Sequence, residues 1–192
     1  MLFIDMILKG EKVYLKKGFS NKEYSTLLKW FKNIEVIAYL RSAKKISNIT
    51  TVKGVKSFFE EAEKAKGTIF FGIYTLKPKR FIGYALLAHL KNKKCEFGIM
   101  IGDKSYWRKG VGSEVTRLLL VYSFDQLGLE MVYSTTSEYN KPAIRLLKSI
   151  GFKMAKKIPK DRVVYHNKKW VESDTFCMEI TKQDYYRNQP NF

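Results

Sequence analysis

Apolar positions along this chain follow two different periods. Tyr24, Leu27, Leu28 and Phe31 recur at helical spacing over 21–32, and Val52, Val55, Phe58, Phe59 and Ala62 do so over 51–66, where Gly67 supplies a stop. A short strand over 13–16 precedes both. The period then changes. Residues 69–74, 81–88 and 95–101 are β-branched and aromatic runs, parted by Lys77-Pro78-Lys79 and Lys91-Asn92-Lys93-Lys94, and they predict an antiparallel meander. Helical spacing returns with Val115, Leu118, Leu119 and Tyr122, and Gly128 ends it. A strand over 131–136 follows, then a short helix from Asn140, with Pro142 in its first turn and Gly151 as its stop, followed at once by a strand. Residues 163–170 and 175–180 read as closing strands. Helices, a meander and then alternating elements predict an α/β chain with a sheet of mixed direction.

Between the last meander strand and the helix lies Tyr106-Trp107-Arg108-Lys109-Gly110-Val111-Gly112-Ser113, a basic glycine turn. Such a turn can bind phosphate. Glycines permit positive φ and close approach, successive N–H groups converge on an anion at the positive end of a helix, and Arg108 and Lys109 add full charges. The spacing is neither that of a Walker loop nor the Gly-x-Gly-x-x-Gly of a dinucleotide fold. By itself the motif equally describes a basic surface turn.

The order of motifs is more specific than any one of them. Strand, Trp-x-x-Gly-x-Gly, helix, strand, Asn140-x-x-Ala143, helix and Gly151-Phe152 together resemble the acetyl-CoA-binding half of the GNAT acetyltransferase superfamily. Tyr106-Trp107, Phe124-x-x-Leu127-Gly128 and the early run Trp30-Phe31-Lys32-Asn33-Ile34-Glu35-Val36 are similar to the branch holding the ribosomal-protein N-terminal acetyltransferases and their spermidine and amino-sugar relatives. The resemblance implies a single GNAT-like domain over 1–192 with a mixed, mostly antiparallel sheet flanked by helices. The cofactor half would span about 81–152, and 13–67 and 153–181 would shape the acceptor site.

It also implies roles. Backbone N–H groups of Ile99, Met100 and Ile101 would hold the pantetheine arm and thioester carbonyl in the manner of an oxyanion hole. Trp107, Arg108, Lys109, Gly110, Val111, Gly112 and Ser113 would form the diphosphate turn, joined at the cofactor by Asn140 and Ala143. Glu96 would be the base, directly or through water, on the same strand face as Gly98 and Met100 unless a bulge shifts the count. As a plain sequence feature it is also what an exposed sheet glutamate looks like. Asn140 also reads as a helix cap. Phe152, Tyr165 and Trp170 fit a sheet core at least as well as an acceptor pocket. Many superfamily members carry a tyrosine four residues before the glycine of the Gly-Phe pair as the acid for the departing thiolate; here that position is Leu147, which leaves the role to solvent, Tyr139 or Ser137.

Composition narrows the partners. With 192 residues and 45% hydrophobic content the chain suits one core, and no linker or repeat interrupts it. The opening run from Met1 to Lys9 carries Asp5 and is too short for a signal core, no stretch is long enough to span a membrane, and 188–192 reads as a frayed tail. Cys95 and Cys177 have no Cys-x-x-Cys partner, and with only His89 and His166 no metal site is indicated, so a reducing cytoplasm is expected. A formal charge of +18 favours anionic ligands such as acetyl-CoA and opposes a polyamine acceptor. It exceeds what one cofactor needs. The surplus fits an anionic acceptor such as a nucleotide-linked amino sugar, ribosome or RNA contact, or simply a lysine-rich proteome. The expected activity is therefore acetyl transfer to a primary amine, a protein N-terminus or an amino sugar, by a monomer or homodimer. The rival is a noncatalytic module that senses acyl-CoA or binds RNA.

Overall fold

A computed structural model describes residues 7–187, so the opening segment and the expected tail at 188–192 lie outside the described residues. An eight-stranded sheet forms the centre, ordered β1 (Ile7–Lys9), β2 (Val13–Lys17), β3 (Ile69–Thr75), β4 (Phe81–Lys91), β5 (Lys94–Ile101), β6 (Met131–Ser137), β8 (Lys169–Thr181) and β7 (Lys153–His166). Every pairing is antiparallel except β5 with β6. Helices α1 (Asn21–Phe31), α2 (Ile34–Ile37), α3 (Ala43–Ile46) and α4 (Val52–Lys66) cover one face, and α5 (Val111–Val121) and α6 (Lys141–Ile150) the other. A terminal helix, α7 (Lys182–Arg187), closes the described chain.

Alternation along the strands builds both cores. On β5, Cys95 and Phe97 join Leu87, Val115, Leu119 and Leu147 beneath α5 and α6, whereas Met100 joins Leu27, Phe31, Phe59, Phe70 and Tyr84 beneath α1–α4. The β4–β5 register runs unbroken from Gly83↔Ile101 to Ala88↔Glu96. Glu96, Gly98 and Met100 therefore share a face, without a bulge in β5.

Helix boundaries follow their caps. Ser20 and Glu23 form a capping box on α1, Thr51 accepts from the Gly54 amide at 3.0 Å, and Gly67 ends α4 at φ 54°. The sequence expectations differ from the fold at the closing strands. The strand expected directly after Gly151 begins at Lys153 and runs on to His166 as β7, taking in the start of the one expected over 163–170, and the chain turns back at Asn167-Lys168, both left-handed (φ 49° and 62°), so Trp170 belongs to β8. Its continuity was hidden, because this edge strand is exposed along most of its lysine-rich first half and shows no apolar alternation. β1, α2, α3 and α7 are likewise additions.

Candidate active site

The site begins where β5 and β6 part. Their parallel ladder holds only Lys94↔Met131, Cys95↔Val132 and Glu96↔Tyr133; β6 then continues along β8 to Ser137↔Thr175, while β5 continues along β4. Beyond Glu96, one edge of β5 has no strand beside it. Alternate N–H groups between Phe97 and Ile101 thereby have no strand partner, so the consecutive amides of Ile99, Met100 and Ile101 do not all face the open edge. Of these three only Ile99 lines the cavity described below; the Met100 side chain is buried beneath α1–α4 and Ile101 ends the strand.

The glycine turn sits at the end of that edge. Arg108 (φ 59°) and Gly110 (φ 79°) are left-handed, and Gly110 caps α5. The first intrahelical bond runs from the Glu114 amide to the Gly110 carbonyl at 3.1 Å, so the amides of Val111, Gly112 and Ser113 have no acceptor within the helix. Gly112 departs from expectation: it is helical, and its missing side chain matters because a Cβ would stand 3.3 Å from the Leu146 Cδ2 atom of α6. Trp107 is half-exposed rather than packed beneath the loop, and its indole N–H donates to the Ile101 carbonyl at 2.8 Å, tying the turn to the strand. A cradle of free helix amides with Arg108 and Lys109 beside it fits a diphosphate.

Lys12, a neighbour of the turn, carried no sequence signal. The β1–β2 turn docks on α5, where the Glu114 carboxylate accepts the Lys12 amide at 2.8 Å and the Val13 amide at 3.3 Å. This places the Lys12 ammonium 3.4 Å from the Lys109 carbonyl, adding another cation to the turn. On the opposite side, Trp30 stacks on Phe81 with centroids 5.1 Å apart and occupies the space a side chain at Gly102 would need. Asn33 caps α2 and Glu35 pairs with Lys104. The early Trp–Asn–Glu run thus clamps the N-terminal helices to the strand end.

A cavity of about 490 Å³ passes through the parting. Asn140, Ala143 and Leu147 line it at the α6 end, Gly98 and Ile99 along β5, Thr135 and Thr136 along β6, and Tyr39, Arg41 and Arg162 at the far mouth. Asn140 lines the cavity, and its side chain caps α6 by accepting the Ala143 amide at 3.2 Å. Leu147 is buried in the wall where the family's tyrosine would stand.

Glu96 lines this cavity in a polar setting. Thr135 donates its hydroxyl to the carboxylate at 2.7 Å, and the His89 Nε2 atom lies 3.6 Å away. His89 was singled out in the sequence only as too isolated for a metal site. A register shift in β4 between Ala88 and Lys91, with His89 left-handed at φ 55°, turns its ring toward Glu96. Tyr139 is placed elsewhere: its ring stacks on His166 at 4.3 Å, its amide is held by Ser137, and it does not line the cavity. Ser137 is fully buried against Ser173 at 2.6 Å. Among the described residues no cluster of metal-ligating side chains occurs, and no helix is long and apolar enough to cross a membrane.

Comparison with known proteins agrees with this geometry. The family model for the acetyltransferase (GNAT) domain matches residues 17–153. The uncharacterized N-acetyltransferase YoaA of Bacillus subtilis is 27% identical over 149 residues, 76% of this chain and 82% of that protein. Alpha/beta-tubulin-N-acetyltransferase 9 of Mus musculus is 34% identical over 58 residues, 30% of this chain and 24% of the mouse protein, so the chain spans about a quarter of that relative. Among solved structures, a GNAT-family acetyltransferase from Bacillus anthracis superposes with a TM-score of 0.74 at 20% identity, covering 93% of this chain and 99% of that one. Spermidine N-acetyltransferase from Vibrio cholerae, solved with CoA and spermine, gives 0.75 at 17% identity, covering 91% and 98%. The chain belongs to the GNAT acetyltransferase family, whose enzymes take their acyl group from acetyl-CoA.

Proposed function

We propose that this protein transfers an acetyl group to the primary amine of an acceptor that enters between α2–α3 and β7, with Glu96 as the base. The supporting observation is a single cavity that joins the α6 N-terminus, the open edge of β5 and the far mouth, with Glu96 in its wall. Acetyl-CoA supplies the activated acyl group. Val111, Gly112 and Ser113 amides with Lys12, Arg108 and Lys109 hold the diphosphate, and alternate β5 amides hold the arm and polarise the carbonyl. The acceptor nitrogen gains the acyl carbon as the carbon–sulfur bond breaks. Its released proton passes to the Glu96 carboxylate, directly or through a water, and the departing thiolate takes one from solvent because Leu147 offers none.

In this reading residues 81–152 form the cofactor half, while 13–67 and 153–181 shape the acceptor side. The acceptor is a protein N-terminus of the ribosomal-protein type or an amino sugar, and the enzyme works in the cytoplasm. The Trp30, Asn33 and Glu35 clamp supports the branch, and the free thiols of Cys95 and Cys177 support the compartment. The test is thiol release from acetyl-CoA with N-terminal peptides, amino sugars, polyamines and aminoglycosides in parallel, followed by mass shift of the acceptor. Release with peptides or amino sugars and little with polyamines is expected. Absence of release with every amine, alongside RNA binding with a steep salt slope, would replace this reading with the noncatalytic one.

A further inference from the structure

The far mouth of the cavity is lined by several cations, and all but one have a carboxylate. Arg41 pairs with Asp161 at 2.8 Å and Lys45 with Glu61 at 3.6 Å. Arg162 is the exception. Only 5% of its surface is exposed, no carboxylate lies within ion-pairing distance among the described residues, and its Nη2 atom is buried without a hydrogen-bond partner. A buried guanidinium left short of acceptors is costly, and structures keep such groups paired unless something arrives to pair them.

The chain also holds this guanidinium in place. Its Nε donates to the Thr175 hydroxyl at 2.8 Å, that hydroxyl donates to Asp161 at 2.8 Å, and Asp161 is held in turn by Arg41. Arg162 sits on β7 opposite Ser173, just after a register shift between Ile158 and Arg162. Burial, and then the charge of Arg41, push its pKa down to about 10, which still leaves it cationic at neutral pH. The result is a fixed donor in the wall of the same cavity as Glu96.

We propose that the acceptor carries, besides its amine, a carboxylate or phosphate that binds Arg162, so that Arg162 selects anionic acceptors. This rests on the cavity being the acceptor site. The planar fork of arginine suits either oxyanion, and its uncompensated charge disfavours a polyamine beside it.

Matched acceptors test it. The probes are glucosamine 6-phosphate against glucosamine, and peptides with aspartate against asparagine at the second position. The wild-type protein should favour the anionic member of at least one pair by about 10- to 100-fold in kcat/KM, mostly through KM, a size typical of charge-assisted hydrogen bonds. The pair that responds identifies the source of the anion. R162Q should erase the preference, and R162K should restore part of it. Equal turnover of both members of both pairs by wild type, a comparison that needs no variant to fold, overturns the proposal. So does a preference that survives in R162Q. Calorimetric titration of the same probes in the presence of coenzyme A separates the two readings. Preferential binding of an anionic probe without thiol release removes catalysis but keeps the subsite, whereas turnover without preference removes the subsite but keeps catalysis.

Discussion

The Thr135 hydroxyl donates to the Glu96 carboxylate at 2.7 Å across the gap where β5 and β6 have stopped pairing. This bond does what the missing ladder no longer does. It fixes the Glu96 carboxylate against β6 while leaving the edge of β5 open, and the His89 Nε2 atom lies 3.6 Å from the second carboxylate oxygen.

Glu96→Gln should therefore lower kcat by about 100- to 10,000-fold, the usual range for a lost general base, with acetyl-CoA affinity intact. Thr135→Val should cost less, because it frees the carboxylate without removing it. Single-turnover kinetics beside calorimetry would check both, and full activity of Glu96→Gln would exclude it as the base.

At the glycine turn, Gly110→Asp should abolish coenzyme binding, since the position is left-handed at φ 79° and the new carboxylate would repel the diphosphate. Gly110→Asn, which tolerates that conformation better, should retain binding. Gly112→Leu should fail for another reason, by driving Leu146 of α6 away. Calorimetry with coenzyme A distinguishes them; unaltered affinity in Gly110→Asp would remove the turn from the site.

Replacing Trp107 with Phe keeps the ring but deletes its bond to the Ile101 carbonyl. Loss of one such bond is worth about 1 kcal/mol, so coenzyme affinity should fall by about five-fold if the tie positions the turn. Unchanged affinity together with a lower melting temperature would make the bond purely structural.

The two thiols should differ in reactivity. Burial pushes the Cys95 pKa up to about 11, and the side chain is fully enclosed, whereas Cys177 is partly accessible. A disulfide reagent at pH 8 should therefore label Cys177 first and reach Cys95 only on unfolding. Mass mapping of the labelled peptides would show it, and fast labelling of Cys95 would contradict the packing.

Acid should weaken the acceptor side. Hydrogen bonds from Thr175 and then Arg41 hold the Asp161 carboxyl below its ordinary value, so the unfolded chain binds this proton more readily than the folded one. The resulting stabilisation is complete above about pH 4 and fades as pH falls through the depressed value. Asp161→Asn should flatten that part of the stability curve in urea titrations between about pH 2 and 5; an unchanged slope would show that the Arg41 and Thr175 contacts do not persist in solution.

Much of this was legible in the order of residues. Turn glycines, helix caps and the change of apolar period depend on contacts a few residues apart, so the meander, the α5 turn and the Asn140 cap could be read directly. A strand directly after Gly151 could be read too, but not its full length to His166, because an exposed, lysine-rich edge carries no apolar alternation. Nor could His89, which a register shift turns toward Glu96, or Lys12, which a hairpin brings beside residues about a hundred positions away. Family likeness supplied Glu96 and the diphosphate turn from the sequence, but the pairing of charges is a property of the folded chain. Arg41, Lys45 and Arg162 look alike as letters; only the tertiary structure gives two of them carboxylates and leaves the third without one, because ion pairing depends on distance through space and not along the chain.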